Sequence, residues 1–360
     1  MSKLKKCFIL MGDTPGGLEH RIIRLFKYLK PDNADSYSII MSNLLKSQFV
    51  QKGILTENLE GVITYNQKNH GMVVFQDVIS VARILNSEKF DIAVAYGYPI
   101  KASFLFNFFV KKLYISVVNS DEFLSQNRSK IHTVYYRLSF LLNRKRVDAL
   151  SPLIKDYISI KKLANSEDIK VPPFTFYSLS ESDFRVDFEA KENLVVWAGA
   201  FIELKQPFLL LYFIKKNKNT LQEKGVCFYF CGKGKLENEM QSFVKDNKLQ
   251  ELVTIKYCTD PKQILRKSTF FVSTQKYTNY PSQAILDAYV EGNIILSLDS
   301  GDSRKFLETL DDILFTNYRN FDFDLNHLLE SNININIKER AKKIKKGNEM
   351  FLKWFIETYI

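Results

Sequence analysis

Short apolar runs that alternate with amphipathic helical patterns are the feature that most restricts how this chain can fold. In the first half, helical patterns such as Leu18–Leu29 and one ending at Val110 separate strand-like runs. The runs are Cys7–Met11, Ser38–Met41, Val62–Tyr65, Ile92–Ala95, Leu113–Val118 and Val147–Leu150. Continuous apolar strands separated by helices predict a parallel sheet covered on both faces, which binds ligands beyond the carboxyl ends of its strands.

The alternation stops once and then starts again. The break contains Val171-Pro172-Pro173 and the polar stretch Ser178–Asn193, which has no strand pattern. Beyond it lie the strand-like runs Leu194–Trp197, Val226–Phe230, Val253–Tyr257, Phe270–Ser273 and Ile294–Leu298. The length of 360 residues also suits two domains. We predict a first doubly wound α/β domain over 1–172, a linker over 173–193 and a second such domain over 194–339.

The tail from Ile337 to Ile360 has a helical pattern that is rich in lysine at first and then carries an apolar stripe. We expect the helix over about 340–360 to pack back on the first domain. Internal repeats and heptad arrays are absent from the sequence, which excludes solenoids and coiled coils.

The charge of the chain favours anionic partners. The formal net charge is +11, which suits nucleic acid, an anionic membrane surface or phosphorylated substrates without choosing among them. No apolar run approaches the ~20 residues that span a bilayer, and no signal peptide is recognisable, so a cytoplasmic location is expected. Four cysteines without metal-ligand spacing are expected to be buried thiols rather than zinc ligands or disulfides.

A glycine-rich turn follows the first predicted strand. Gly12 to Gly17 leads into a helix and would place bare backbone amides at the helix N-terminus, where a phosphate or a sugar could approach. The same turn is also typical of an ordinary tight connection between a strand and a helix. The pattern alone leaves both interpretations open.

Two segments carry a resemblance to a known family: Gly16-Gly17-Leu18-Glu19, and Val195–Phe201 with Lys205. The first is similar to the G-G-x-E opening, and the second to the strand-Gly-Arg-Leu-x-x-x-Lys segment, of retaining glycosyltransferases of family 4, also called glycosyl transferases group 1. The resemblance implies a GT-B fold, with two Rossmann-like domains facing across a cleft. It also implies that Gly16 and Gly17 permit a ligand to approach the backbone closely and that Lys205 stabilises the departing diphosphate. Ala200 stands where the family has the arginine.

The segment Asn279–Ala288 resembles the Glu-x₇-Glu loop and helix of the same family. The resemblance implies that Asn279 lies beside the donor sugar as a catalytic position, that Ser282 and Gln283 contact sugar or phosphate, and that Asp287 holds the ribose hydroxyls. Asparagine in place of the first glutamate supplies no negative charge. The alternative is a simple turn in which Ser282 caps the helix and Asp287 is solvated.

Further matches are weaker. Cys231-Gly232-Lys233-Gly234 resembles the family's G-x-G turn. Tyr257 lies in a segment that resembles the one lining the nucleobase in the family. In the first domain Asn119 replaces a histidine, Asp121 and Glu122 could contact an acceptor or cap a helix, and His20 and His132 stay undecided. The resemblance implies no metal and no cofactor other than the nucleotide-diphosphate sugar, which is a co-substrate.

Basic residues alternate with aromatic ones in Lys101–Tyr114 and Arg128–Val147, and the second stretch contains no acidic residue. This pattern is typical of a surface that contacts an anionic membrane, such as the inner face of the cell membrane. It also fits an ordinary core helix with a solvated basic edge.

Together these features predict a hexosyltransferase that moves a sugar from a nucleotide-diphosphate sugar to a glycan or lipid-linked acceptor. The expected setting is the synthesis of bacterial surface polysaccharide or lipopolysaccharide, and the resemblance implies a retaining, metal-independent mechanism. The alternative is a GT-B protein that binds a sugar nucleotide or a glycan without catalysis, as a scaffold for an active transferase. Nucleic-acid binding is not expected, because no recognised module accompanies the charge.

Overall fold

The computed structural model describes residues 4–13, 15–30, 36–67, 74–97, 103–118, 130–180, 183–258, 260–278, 280, 282–310, 312–331 and 333–359, with only the secondary structure for 130–133. The chain divides into two compact units, Met1–Ser178 with Gly347–Ile360, and Leu179–Lys346. The segment predicted as a linker, 173–193, is therefore shared between them. Its first part is core, since Phe174, Phe176 and Tyr177 are buried.

The described part of the first unit contains a seven-stranded parallel sheet. Its strands are β1 (Lys6–Leu10), β2 (Tyr37–Ser42), β3 (Val62–Tyr65), β4 (Ile92–Tyr96), β5 (Lys112–Val117), β6 (Val147–Ala149) and β7 (Ile169–Lys170). Their order is β3-β2-β1-β4-β5-β6-β7. The sequence pattern missed β7, because two residues are too few to show a periodicity.

Helices connect these strands. They are α1 (Gly17–Leu29), α2 (Asn43–Gln51), α3 (Phe75–Glu88), α4 (Ser103–Phe106), α5 (Lys130–Leu142) and α6 (Pro152–Ile160). The prediction of a helix ending at Val110 is wrong, since α4 ends at Phe106. Phe106 is buried while Phe108 is 75% exposed, so the apolar run continues over the surface.

The second unit repeats this architecture with a six-stranded parallel sheet. Its strands are β8 (Glu192–Ala198), β9 (Cys227–Cys231), β10 (Val253–Lys256), β11 (Ser268–Ser273), β12 (Ile294–Leu298) and β13 (Ile313–Thr316). Their order is β10-β9-β8-β11-β12-β13, the 3-2-1-4-5-6 order of a doubly wound sheet. The predicted α/β class with two such sheets is confirmed.

The helices of this unit are α7 (Pro207–Lys216), α8 (Lys218–Glu223), α9 (Glu237–Asp246), α10 (Lys262–Lys267), α11 (Gln283–Val290), α12 (Ser303–Leu307) and α13 (Phe321–Glu330). They cover the sheet, and every residue of β12, which has a neighbouring strand on each side, is buried. This explains why the strands are continuously apolar rather than alternating.

The last helix, α14 (Ile337–Tyr359), begins in the second unit, and its residues from Gly347 onward belong to the first. Its end is held by a buried polar cluster: the Tyr359 hydroxyl donates to Asp148, and Ser116 donates to the same carboxylate at 2.7 Å. Burial raises the pKa of Asp148 to about 6. Gly347 is required by packing, because a Cβ there would overlap the Phe174 ring. Within the described residues, no helix is both long and apolar enough to cross a membrane.

Candidate functional site

The order of the strands locates a crevice in the second unit. β8 and β11 are neighbours in the sheet. The chain continues from β8 to β9 on one side and from β11 to β12 on the other, so the loops after β8 and β11 diverge. Doubly wound sheets bind ligands at such a reversal point, beyond the carboxyl ends of the strands. A small recess opens here, and it is lined by Trp197, Ala198, Lys205, Phe271, Val272, Ser273, Thr274, Gln275, Ser282 and Ala284.

Lys205 supplies the positive charge of the recess. It ends a 3₁₀ turn, Glu203–Lys205, between β8 and α7. Burial lowers the pKa of its ammonium from 10.5 to about 8. No hydrogen-bond or ion-pair partner of this ammonium is found in the part of the chain that the structure describes. A desolvated, unpaired cation is costly, so this wall of the recess suits an anionic ligand.

Thr274 fixes the loop that carries Lys205. The Trp197 indole N–H donates to the Thr274 hydroxyl oxygen at 2.8 Å. That hydroxyl donates to the carbonyl oxygen of Lys205, at 2.7 Å, or of Gln206, at 3.0 Å. Residues on β8, on the loop after it and directly after β11 are thereby joined at the edge of the recess.

The N-terminus of α11 borders the same recess through Ser282 and Ala284. The Ser282 hydroxyl accepts the Ile285 N–H at 3.2 Å, so Ser282 caps the helix as well as lining the recess. The positive end of the helix dipole therefore faces the recess, which again favours an anion.

Gln283 and Asp287 lie on α11 itself. Gln283 is its first residue and is partly buried, and Asp287 lies one turn further along and is only 9% exposed. The alternative in which Asp287 is a solvated helix residue is therefore wrong. Neither side chain is among the described residues that line the recess.

Tyr257 lies further along the carboxyl edge, just after β10. The residue is 39% exposed, and the Lys233 ammonium lies 4.9 Å from the centroid of its ring. The glycines flanking Lys233 have a packing role, because a Cβ on Gly232 would overlap the Gly199 carbonyl oxygen and one on Gly234 would lie 2.8 Å from the Phe201 nitrogen.

The expectation of separate buried thiols is wrong for three of the four cysteines. Cys231 and Cys258 are joined as a disulfide with Cα atoms 5.5 Å apart, and Cys227 is exposed. The reason is the strand register: Cys231 pairs with Lys256 across β9 and β10, which brings Cys258 beside it.

In the first unit, Gly16 and Gly17 open α1. The Gly16 N–H donates to the Glu19 carboxylate at 3.0 Å, and a Cβ on Gly16 would lie 2.8 Å from that oxygen. This amide is therefore engaged by Glu19 rather than bare. A Cβ on Gly17 would meet open space. His20 packs edge-on to the Phe49 ring at 5.2 Å, and burial lowers its pKa to about 4.

Several predicted positions cannot be placed. Asn279, Asn119, Asp121 and Glu122 lie outside the described residues, as does the side chain of His132. Within the described ranges, no cluster of three or more His, Cys, Asp or Glu could hold a metal ion. Ala200, which stands at the arginine position of the resemblance, is exposed directly after β8.

The structure thus brings Lys205 and Ser282 to one recess and adds residues that the sequence did not suggest. Thr274 and Gln275 are two of them. The Gln275 Oε1 is buried, and within the described chain it has no hydrogen-bond partner. The only sequence signal for either residue is its position directly after a buried strand.

Solved structures of glycosyltransferases share this architecture. A glycosyltransferase from Rickettsia africae is 15% identical and matches 100% of this chain and 98% of its own, with a TM-score of 0.68. Anabaena HepE in complex with UDP and glucose is 13% identical over 98% of this chain and 99% of its own, with a TM-score of 0.71. The lipopolysaccharide outer core galactosyltransferase WaaB is 14% identical over 99% of each chain, with a TM-score of 0.67.

The chain has the GT-B fold. This confirms the fold that the resemblance implies, because each match extends over both units. No protein-family model and no curated protein matches the sequence. Membership of family 4 stays a prediction.

Proposed function

We propose that this GT-B protein is a glycosyltransferase that moves a sugar from a nucleotide-diphosphate sugar to a glycan or lipid-linked acceptor. One observation carries the proposal: the desolvated Lys205, which has no hydrogen-bond or ion-pair partner among the described residues, faces the same recess as the N-terminus of α11, at the reversal point of the sheet. Two positive features that converge on one recess suit a diphosphate. The matches to HepE with UDP-glucose and to the galactosyltransferase WaaB support this ligand class.

In this proposal the residues of the second unit act on the donor. Lys205 and the first turn of α11 stabilise the negative charge that develops on the departing diphosphate. Asp287 accepts hydrogen bonds from the ribose diol, and Tyr257 lines the nucleobase. Asn279 orients a sugar hydroxyl. Retention of anomeric configuration, independence of metal ions and a place in surface polysaccharide or lipopolysaccharide synthesis rest on the family resemblance.

A donor screen tests the proposal. We expect one nucleoside diphosphate among UDP, GDP and ADP, together with its sugar conjugate, to raise the thermal midpoint of unfolding, because a ligand that binds the native state stabilises it. The same conjugate should then be hydrolysed or transferred above the rate in buffer. CMP, which lacks the diphosphate, is the control. No shift with any of these nucleotides would remove the donor site.

A binding protein without catalysis is the second candidate. It is favoured by Ala200, since the recess then has a single cation among its described lining residues. A thermal shift with the donor but no turnover, also in the presence of glycan and lipid-linked acceptors, would favour this candidate over the transferase.

We also propose that the first unit contacts an anionic membrane through α5. One side of this helix is core, with Tyr136 and Phe140 each 1% exposed. The other side is an exposed apolar stripe, the α5 apolar face, formed by Val134, Tyr135, Leu138, Leu141 and Leu142. Exposed basic residues flank it, Arg137 within the helix and Lys145 after it. An apolar stripe with basic neighbours suits shallow insertion into an anionic bilayer, where a lipid-linked acceptor would lie.

We expect the double substitution L141E/L142E to weaken binding to phosphatidylglycerol vesicles by about 10-fold or more, because two leucines lose their insertion and acidic groups are repelled. Vesicle co-sedimentation measures this. Ile160→Glu is the matched control, since Ile160 is 71% exposed and Leu141 is 69% exposed in the same unit. Equal losses in both variants, or no binding of the wild type, would contradict the proposal.

A further inference from the structure

The Thr274 hydroxyl group both accepts and donates hydrogen bonds within the protein. The side chain is 1% exposed, its oxygen accepts the Trp197 N–H, and its only proton is shared between the carbonyl oxygens of Lys205 and Gln206. A hydroxyl has one proton to donate and two lone pairs to accept with. Thr274 therefore ties the end of β8 and the loop after it to the residue that follows β11.

The tied loop has a conformation that needs support. Gln206 has a φ of 49°, in the left-handed region that residues other than glycine disfavour, and it is followed directly by Pro207. A second hydrogen bond also holds this loop to the segment after β11: the Lys276 N–H donates to the Leu204 carbonyl oxygen at 2.9 Å. Of the two bonds, only that from Thr274 depends on a side chain.

We infer that Thr274 is a positioning residue that holds the Lys205 ammonium in the recess. Lysine has a long side chain with four rotatable bonds, so a fixed backbone at Lys205 reduces the conformational freedom that a bound anion must otherwise restrict. The identity of that anion, the diphosphate of a nucleotide sugar, rests on the proposed function. The positioning of Lys205 itself does not.

The test measures the protonation of the Lys205 side chain directly. Competitive acylation of lysines over a range of pH, followed by peptide mass spectrometry, gives the pH midpoint at which Lys205 becomes reactive. The wild type should have a midpoint near 8, and Thr274→Val should move it toward the ordinary value of 10.5, since a released side chain becomes solvated. Thr274→Ser keeps the hydroxyl and should restore the low midpoint. Thr254→Val is the matched control, because Thr254 is exposed on β10 of the same sheet.

A second measurement gives the consequence for binding. The affinity for the nucleoside diphosphate, with UDP as the first probe, should fall by about 10-fold in Thr274→Val and recover most of this loss in Thr274→Ser. If Thr274→Val does not fold, the comparison is made between Thr274→Ala and Thr274→Ser.

An unchanged Lys205 midpoint in a folded variant without the hydroxyl would overturn the inference and leave Thr274 a purely structural role. Absence of nucleotide binding by the wild type would count against the proposed function alone. The acylation midpoint would still decide whether Thr274 positions Lys205.

Discussion

Replacement of Lys205 by alanine should lower kcat for sugar transfer by roughly 100-fold or more, because a preorganised charge at a leaving group contributes about 3 kcal/mol to transition-state stabilisation. Single-turnover and steady-state assays with the donor identified by the thermal screen measure the loss. Lys245→Ala is the matched control, since Lys245 is exposed on α9 of the same unit. A rate equal to that of this control would remove Lys205 from the site.

The pH dependence of donor affinity tests whether the charge of Lys205 acts on the donor. Burial lowers the pKa of Lys205 to about 8, so its side chain carries a positive charge below this pH and loses the charge as the pH rises through this value. Affinity for an anionic donor should therefore be constant below about pH 8 and should fall above it. Lys205→Arg keeps a positive charge at all these pH values and should bind the donor without this decline. A decline of equal size in both proteins would assign the titration to another group.

Replacement of Asp287 by alanine should weaken donor binding by about 30-fold, because hydrogen bonds from a diol to a buried carboxylate contribute roughly 2 kcal/mol. The decisive measurement compares the nucleoside diphosphate with its 2′,3′-dideoxy analogue by calorimetry. The wild type should prefer the diol, and Asp287→Ala should bind both equally. A preference that survives the substitution would place the ribose elsewhere.

The control for Asp287 is its neighbour one turn along α11. Glu291 is 1% exposed and forms an ion pair at 3.0 Å with the partly exposed Arg266, so its replacement should lower stability through the loss of this pair. It should leave the preference for the ribose diol in place. The two variants together separate a loss of binding from a loss of folding.

Local sequence patterns predicted most of the strands because a strand buried on both faces must be apolar throughout. They missed the short strands β7 and β13 and several helices, such as α6, α13 and α2, which follows β2 without an intervening loop. The alternation of strands and helices also predicted parallel sheets, since a crossover is needed between parallel neighbours.

The sequence also placed Lys205 and Ser282 after strands, which is where ligands bind in such sheets. It could not show that they share one recess, because that depends on β8 and β11 being neighbours at the reversal point. Strand order is set by packing between distant segments and leaves no local signal.

The sequence by itself therefore determined the class of fold, the approximate positions of its strands and the residue types at their ends. Only the tertiary structure decided that Cys231 meets Cys258, that Asp287 is buried, and that Trp197, Thr274 and Lys205 form one hydrogen-bonded group. Trp197 and Thr274 are 77 residues apart in the chain, and Thr274 and Lys205 are 69 apart. Contacts over such separations arise from strand order and register, which local propensity does not encode.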